Sequence, residues 1–230
     1  MNTHLMTRRQ LGGAVAALVL LPATAQAATL TPLKPCYISV TQNSPGDPTA
    51  ITRERLDLGG NGFTPGSFVD LSFDGTLDRT VQVDPAGNLP PQILMSPYRA
   101  RGEGAFTLTA AEQGNTLNNV TLTSRTTALT LRVLPREAEP GDRVRFRGRG
   151  FTDQRAVWAH YLRNGKVRKT VRLVRQIDNP CGSFSVRRKQ IPVKRPKTGT
   201  WTLQVDQQRR YSRAPASVFV RVKIDVFTQH

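Results

Sequence analysis

Residues 60–64 have the sequence Gly-Asn-Gly-Phe-Thr, and residues 148–152 have the sequence Gly-Arg-Gly-Phe-Thr. Both stretches belong to a set of landmarks that occurs twice in the same order. Pro-Gly-Asp at residue 45 returns at residue 140, Asp74-Gly75 is matched by Asn164-Gly165, and Gly-Ala-Phe-Thr-Leu at residue 104 is matched by Gly-Thr-Trp-Thr-Leu at residue 199. The offsets are 95, 88, 90 and 95 residues. The chain therefore contains one structural unit twice.

Between these landmarks, apolar residues alternate with polar ones. Val69, Leu71 and Phe73 lie two residues apart, and the same spacing recurs over residues 201–205. This period predicts half-buried strands rather than helices. Each unit has about seven such runs, separated by Gly, Pro, Asn or Asp, which is typical of an antiparallel sandwich. We therefore expect an all-β fold of two tandem sandwiches, with no helix in the mature chain.

The order of the motifs points to a known class of module. Gly-x-Gly-Phe-Thr is followed by Pro65-Gly66, then by Val69-x-Leu71 and Asp74-Gly75, and then by Asp84-x-x-Gly87-x-Leu89. This pattern resembles the bacterial immunoglobulin-like (IPT/TIG-type) modules of exported proteins, especially those of actinobacteria. The second unit departs from it where Asp153-Gln154 replaces Pro65-Gly66. The resemblance implies two immunoglobulin-like domains, but such modules serve as spacers, adhesin stalks or binding units, so it implies little about function.

The N-terminus predicts export. Arg8 and Arg9 precede an apolar run over residues 12–21, and Ala25 and Ala27 provide a small-x-small cleavage site. This pattern predicts a twin-arginine-like signal peptide at residues 1–27, although paired arginines also occur in ordinary signals and a short core helix is the alternative. Lys and Pro immediately before Cys36 do not suit a lipidation site. We expect a secreted or cell-wall-associated protein.

Charge is unevenly divided between the two predicted domains. Residues 28–125 carry 7 Lys and Arg against 9 Asp and Glu, whereas residues 126–230 carry 24 against 7. The net charges are −2 and +17, and the leader adds +2. A shared fold does not require a shared charge, so the basic surface of the second domain needs its own explanation.

The arginines of the second domain follow the strand period. Arg143, Arg145, Arg147 and Arg149 alternate with Val144, Phe146 and two glycines, which predicts a row of guanidinium groups on one strand face. Neighbours in such a row lie roughly 6.5 to 7 Å apart, which suits the charge spacing of a polyanion. In an immunoglobulin topology the second and fifth strands are neighbours, so Arg187 should lie beside this row. The complete set of predicted polyanion-binding residues is Arg143, Arg145, Arg147, Arg149, Arg187, Arg188, Lys189, Lys194, Arg195 and Lys197.

The expected function is noncatalytic binding of an anionic partner through the second domain. For an exported protein that partner is an anionic cell-wall polymer, acidic polysaccharide, acidic lipid headgroups or extracellular nucleic acid. One alternative is a solvated surface that provides solubility. Another is a structural spacer or accessory subunit that recognises another exported protein.

One strand of the second domain carries aromatic side chains on both faces. Alignment with residues 69–73 places Val157, Ala159 and Tyr161 inside, so that Trp158 and His160 point outward. An outward Trp158 could stack on a sugar or base. It could equally pack against the other domain or lie in the core.

The two cysteines fall one in each predicted domain, so a disulfide between Cys36 and Cys181 would join the domains. If Cys36 begins the first strand, it lies at the pole of the first sandwich that is remote from the linker, whereas Cys181 lies at the linker side of the second. A bond would then require the domains to lie side by side.

Nothing in the sequence predicts an enzyme. His4 lies in the leader and His230 at the end, so His160 is the remaining candidate for a general base. No Gly-x-Ser-x-Gly or His-Glu-x-x-His motif occurs. We expect no cofactor and no metal, with a weak Ca²⁺ site near Asp70, Asp74 and Asp84 as the open alternative.

Overall fold

A computed structural model describes residues 27–40, 53–135, 137–153, 155–215 and 218–227. Residues 1–26, which hold most of the predicted signal peptide, and the first Pro-Gly-Asp landmark lie outside the described residues. The elements in chain order are β1 (Thr29–Leu30), β2 (Tyr37–Val40), β3 (Arg55–Asn61), β4 (Phe68–Phe73), β5 (Thr76–Gln82), β6 (Leu89–Met95), β7 (Glu103–Glu112), a short 3-10 helix (Thr116–Asn118), β8 (Val120–Ala128), β9 (Thr130–Leu134), β10 (Arg143–Arg149), β11 (Val157–Arg163), β12 (Lys166–Val174), β13 (Phe184–Lys189), β14 (Gly199–Asp206) and β15 (Phe219–Val226).

The first sandwich consists of β1 to β8. One sheet has the order β1-β3-β6, and the facing sheet has the order β2-β8-β7-β4-β5. All pairings are antiparallel except that of β2, which runs parallel to the end of β8 with Tyr37 opposite Thr126. The short β2 therefore covers the edge of this sheet that β8 would otherwise leave open.

The second sandwich consists of β9 to β15, in sheets ordered β13-β10-β9 and β12-β11-β14-β15. Its strands correspond one for one to those of the first sandwich, except that β2 has no described counterpart. The boundary predicted between residues 125 and 126 falls inside β8, and only Leu129 separates β8 from β9. The molecule is thus an all-β protein of two immunoglobulin-like sandwiches, as the alternation of apolar residues predicts.

The repeated landmarks mark equivalent turns. Gly62 and Gly150 follow β3 and β10 with φ angles of 82° and 87°, a backbone region that favours glycine. Each packs against the chain as it enters the first strand of its sandwich, since a Cβ on Gly62 would lie 2.9 Å from the Ala27 carbonyl oxygen and one on Gly150 would lie 2.8 Å from the Leu129 Cα. The Asp74-Gly75 and Asn164-Gly165 pairs both adopt positive φ in two-residue hairpin turns.

Each sandwich has its own apolar core. Leu56, Leu58 and Phe106 are buried in the first core, and Val144 and Phe146 are buried in the second. Ile38 and Leu129 also belong to the second core, although the strand that carries Ile38 pairs in the first sandwich. The junction between the sandwiches is therefore an apolar contact.

Among the described residues there is no helix with the length and apolar character that a membrane span requires.

Candidate functional site

The sheet β13-β10-β9 places the cations of three strands on one surface. Val144 and Phe146 of β10 point into the core, so the intervening arginines point outward. Arg145 lies opposite Arg187 of β13, and Arg147 lies opposite Arg132 of β9. We call this surface the basic face; it consists of Arg132, Arg143, Arg145, Arg147, Arg149, Arg187 and Lys189. Its side chains are exposed apart from that of Arg145, which is half-buried.

The basic face brings like charges directly opposite each other. Arg143 faces Lys189, Arg145 faces Arg187, and Arg147 faces Arg132. Such cross-strand partners have Cβ atoms about 4.5 to 5.5 Å apart, and like charges in these positions destabilise a sheet. None of these side chains forms an ion pair with a carboxylate within the described part of the chain. The arrangement therefore costs stability unless anions from outside the chain neutralise it.

One end of the arginine row on β10 lies at the junction with the first sandwich. A Cβ on Gly102, in the first sandwich, would lie 3.5 Å from a terminal nitrogen of Arg149. Arg143 and Lys189 lie at the other end, where β10 begins and β13 ends. The row therefore runs along the second sandwich from the junction to its far pole.

The remaining predicted cations lie elsewhere. Arg188 alternates with Arg187 and Lys189, and its guanidinium donates at 2.9 Å to the carbonyl oxygen of Leu173 in β12. It therefore ties two edge strands together and is not part of the basic face, contrary to the grouping expected from sequence. Lys194, Arg195 and Lys197 follow β13, in the connection to β14. This connection leaves the sheet at the far pole.

Arg132 was missed by sequence reasoning. Its neighbours Leu131 and Val133 pack against the second core, so the short strand β9 shows the same alternation as β10. This signal was present in residues 130–134. Placing Arg132 beside Arg147 required the pairing of β9 with β10.

Trp158 lies on the opposite sheet of the second sandwich. It is half-buried, and the guanidinium carbons of Arg172 and Arg209 lie 5.8 Å and 5.9 Å from its ring centroid. Cations at this distance interact favourably with the ring. One partner comes from β12 and the other from the loop after β14. Trp158 thus points outward as predicted, but its ring is already in contact with two arginines.

His160 is the other residue of β11 that was predicted to point outward. Its side chain is on the outer side of the sheet, since Ala159 and Tyr161 point into the core, yet it is fully buried. The loop that follows β14 covers it, with the Tyr211 ring 5.7 Å from the imidazole. Alternation along a strand indicates which face a residue occupies, but not whether a distant loop covers that face.

A network of buried polar groups holds this loop. His160 interacts with Thr170 at 3.0 Å, with the Asp206 carboxylate at 3.2 Å and with the carbonyl oxygen of Gln208 at 3.1 Å. Gln204 donates to Asp206 at 2.8 Å and to the Ser212 carbonyl oxygen at 2.9 Å. Because these groups bond to each other and to the loop backbone, the network has a structural role.

Cys36 and Cys181 are joined by a disulfide, with an S–S distance of 2.07 Å and a Cα–Cα distance of 5.2 Å. Both residues are buried. The expectation that this bond requires side-by-side domains is wrong, because Cys36 does not begin the first strand. Strand β1 precedes it, and Cys36 lies directly before β2, which pairs with the end of β8 at the junction between the sandwiches. The bond closes the junction itself. Cys181 is fixed there in turn, since its carbonyl oxygen accepts a hydrogen bond from the Gly150 amide at 3.0 Å.

A lysine–glutamate pair lies near this junction. Lys34 donates to Glu54 at 2.7 Å. This hydrogen bond raises the pKa of Lys34 above its ordinary value, with a smaller contribution from Asp153 of the second sandwich. Carboxylates of both sandwiches therefore favour the charged form of Lys34, Glu54 more strongly than Asp153.

Nowhere in the described residues do three or more His, Cys, Asp or Glu side chains form a group that could hold a metal ion. Asp84 instead accepts hydrogen bonds from the backbone and side chain of Asn88 and from the Ala86 amide, which lower the pKa of its carboxyl. It therefore caps its own turn.

No family model matches this chain, and no curated protein matches it significantly. Among solved structures, two structures of the β-glucuronidase of Parabacteroides merdae align over 86% of this chain, with 11% identity and TM-scores of 0.30 and 0.31. This chain spans 24% of the glucuronidase. Fibronectin(III)-like modules of Clostridium thermocellum CbhA align over 86% of this chain and 93% of their own, with 11% identity and a TM-score of 0.27. At these TM-scores the similarities carry no information on activity or ligand.

Proposed function

We propose that this chain is an exported, noncatalytic binding protein whose second sandwich engages a polyanion of the cell envelope or extracellular matrix through the basic face. The observation that carries the proposal is the set of directly opposed cations on β9, β10 and β13, which have no carboxylate partners among the described residues. A surface evolved for solubility would intersperse both signs of charge. Opposed rows of one sign instead suit a ligand that supplies many negative charges.

Export is supported by two further features. The buried disulfide between Cys36 and Cys181 suits an oxidising compartment. The first described strand starts at Thr29, two residues after the proposed cleavage site at Ala27, so removal of the leader would leave every described strand in place. We further propose that the modules belong to the immunoglobulin-like (IPT/TIG-type) class of exported bacterial proteins, on the motifs of residues 60–89.

The test uses the chain from residue 28 to residue 230, titrated with salt against duplex DNA as a defined polyphosphate and against heparin as an acidic polysaccharide. In the face variant, Arg143, Arg145, Arg147 and Arg187 are changed to Ser. Each phosphate contact contributes about 0.9 to the slope of log affinity against log salt on a duplex. The face variant should therefore lose about 3 to 4 units of slope.

A matched control removes the same charge from the other sheet by changing Lys166, Arg168, Lys169 and Lys223 to Ser. These residues are exposed and lie on β12 and β15. The control should keep a slope close to that of the unmodified chain. Equal losses in the two variants would contradict a located site, and absence of binding at low salt would contradict the proposal as a whole.

The face variant also tests the energetic argument. Because it removes cations that oppose each other across strands, its free energy of unfolding should stay the same or rise, by about 0.2 to 1 kcal/mol for each opposed pair. Urea unfolding in the absence of ligand measures this. A clear loss of stability would show that the arginines serve the fold.

A further inference from the structure

A groove of about 1110 Å³ opens between β9 and β15, the two strands that end their sheets on the same side of the second sandwich. Leu131 and Val133 line one wall, and Val222 and Ile224 line the other. All four also belong to the second core or pack against it. The groove is thus an opening into the side of the sandwich, with an apolar floor.

The first sandwich shows what occupies this position when it is filled. Its last strand, β8, corresponds to β15, and β2 pairs with the outer edge of β8. Tyr37 of β2 is buried in the first core, with its ring 6.2 Å from that of Phe106. No described strand pairs with the outer edge of β15. An edge strand without a neighbour among the described strands is the kind of surface on which another extended chain can pair.

The rim of the groove has a net charge opposite to that of the domain as a whole. It carries four acids and two cations, namely Glu137, Glu139, Asp142, Asp225, Arg132 and Lys223, whereas residues 126–230 carry 24 basic and 7 acidic residues. At the mouth, Phe227 is exposed to 79%. The groove therefore combines an unpaired strand edge, apolar walls and an acidic rim.

We propose that this groove binds an extended segment of another polypeptide, which carries apolar side chains at alternate positions and Lys or Arg between them. The segment pairs with the outer edge of β15 in the parallel sense that β2 has on β8. Its apolar side chains enter the groove as Tyr37 enters the first core, and its cations meet the acidic rim. Recognition of this kind takes affinity from main-chain hydrogen bonds and specificity from alternate side chains.

The probe is a labelled synthetic peptide of about nine residues that alternates valine and lysine, with an otherwise identical valine–glutamate peptide for comparison. The full chain from residue 28 is used, and binding is measured by fluorescence anisotropy. The chain carries a large positive charge, so general electrostatics favours the glutamate peptide. Binding of the lysine peptide to the groove, with slowed hydrogen exchange of the β15 amides, is the expected result.

The variant is Glu137→Lys with Glu139→Lys, because both residues lie on the rim and outside the apolar core. It should weaken binding of the lysine peptide at least about tenfold, as expected for the loss of two favourable charge contacts. The control Asp178→Lys changes an exposed acid outside the groove and should leave this binding unchanged. Equal affinity of the two variants for the lysine peptide, or unchanged exchange of the β15 amides, would overturn the proposal.

This inference is separable from polyanion binding. The face variant should bind the lysine peptide at least as tightly as the unmodified chain does, because it has lost four positive charges. The variant with Glu137→Lys and Glu139→Lys should keep its salt-dependent binding of duplex DNA. Loss of peptide binding in the face variant would contradict a site in the groove.

Discussion

The two sandwiches have apolar residues at equivalent inward positions but chemically different residues at equivalent outward positions. Leu56 and Leu58 of β3 correspond to Val144 and Phe146 of β10, and all four are buried. The outward positions between and beside them are Arg55, Asp57, Gly59 and Asn61 in the first sandwich and four arginines in the second. The neighbouring strands differ as well. In the first sandwich Ile93 of β6 lies opposite Asp57, whereas in the second sandwich Arg187 of β13 lies opposite Arg145.

This difference shows that the fold and the charge are carried by different residues of the same strands. The same period that buries one set of side chains exposes the other, so the outward set can change without loss of the core. The edge of the last strand differs as well, since β2 covers β8 whereas the corresponding edge of β15 borders the groove. Both proposed binding sites, the basic face and the groove, lie where the second sandwich differs from the first.

Large-to-small substitutions at equivalent positions test most strongly whether the two cores are separate. Phe146→Ala should cost about 3 to 5 kcal/mol and Leu58→Ala about 2 to 5 kcal/mol, because each empties a fully packed position. Native-state hydrogen exchange should show loss of protection mainly in the sandwich that carries the substitution. Equal loss in both sandwiches would show that they unfold as one cooperative unit.

The disulfide is the next largest expected contribution. Changing Cys36 and Cys181 to Ser removes a cross-link that spans 145 residues and should cost about 2 to 5 kcal/mol. Thermal unfolding of this variant, compared with the oxidised unmodified chain, measures the loss, and the reduced unmodified chain is the control for the two serines. A variant that matches the oxidised chain in stability would show that the apolar contact around Ile38 and Leu129 holds the junction without the bond.

The repeated glycines allow the same substitution to be compared at the start of each sandwich. Gly62→Ala and Gly150→Ala should each cost about 1 to 3 kcal/mol, because alanine is disfavoured by the positive φ and by a close Cβ contact, 3.1 Å to the Ala28 Cα at Gly62 and 2.8 Å to the Leu129 Cα at Gly150. Gly66→Ala is the control, since Gly66 also has a positive φ but a Cβ there meets nothing within 4 Å. A loss at Gly66 as large as at the other two would assign the whole effect to the backbone angle.

The sequence predicts the repeated sandwiches and the inward residues well, because these depend on local alternation and on turn glycines. The position of Arg187 beside the arginine row was also predicted, since strand order follows from the fold class, and the structure places it opposite Arg145. The features that the sequence did not predict depend on which segments meet. Arg132 required the pairing of β9, burial of His160 required the loop after β14, and the position of Cys36 required a two-residue strand, β1, too short to show alternation.

The smallest expected effect concerns a contact that both sandwiches make with different chemistry. Glu112 at the end of β7 accepts a hydrogen bond from the Thr64 amide at 3.2 Å, and its counterpart Gln207 after β14 accepts one from the Asp153 amide at 3.3 Å. Burial of the Glu112 carboxyl favours its neutral form, but hydrogen bonds from Thr64 and from Asn118 outweigh burial and lower its pKa. The first sandwich thus has a titratable group where the second has an amide.

A carboxyl whose pKa is lowered by folding stabilises the protein above its unfolded pKa, about 4.3 for Glu, and this stabilisation is lost as the pH falls through the folded pKa. Glu112→Gln places in the first sandwich the amide that the second already has. The difference in free energy of unfolding between the unmodified chain and this variant should therefore be constant above about pH 5 and should shrink as the solution is acidified below the unfolded pKa. Taking this difference cancels the contribution of other carboxyls, including Asp84, whose pKa is also lowered. Urea titrations from neutral to acidic pH measure it, and a difference that grows on acidification would show that burial rather than hydrogen bonding governs Glu112.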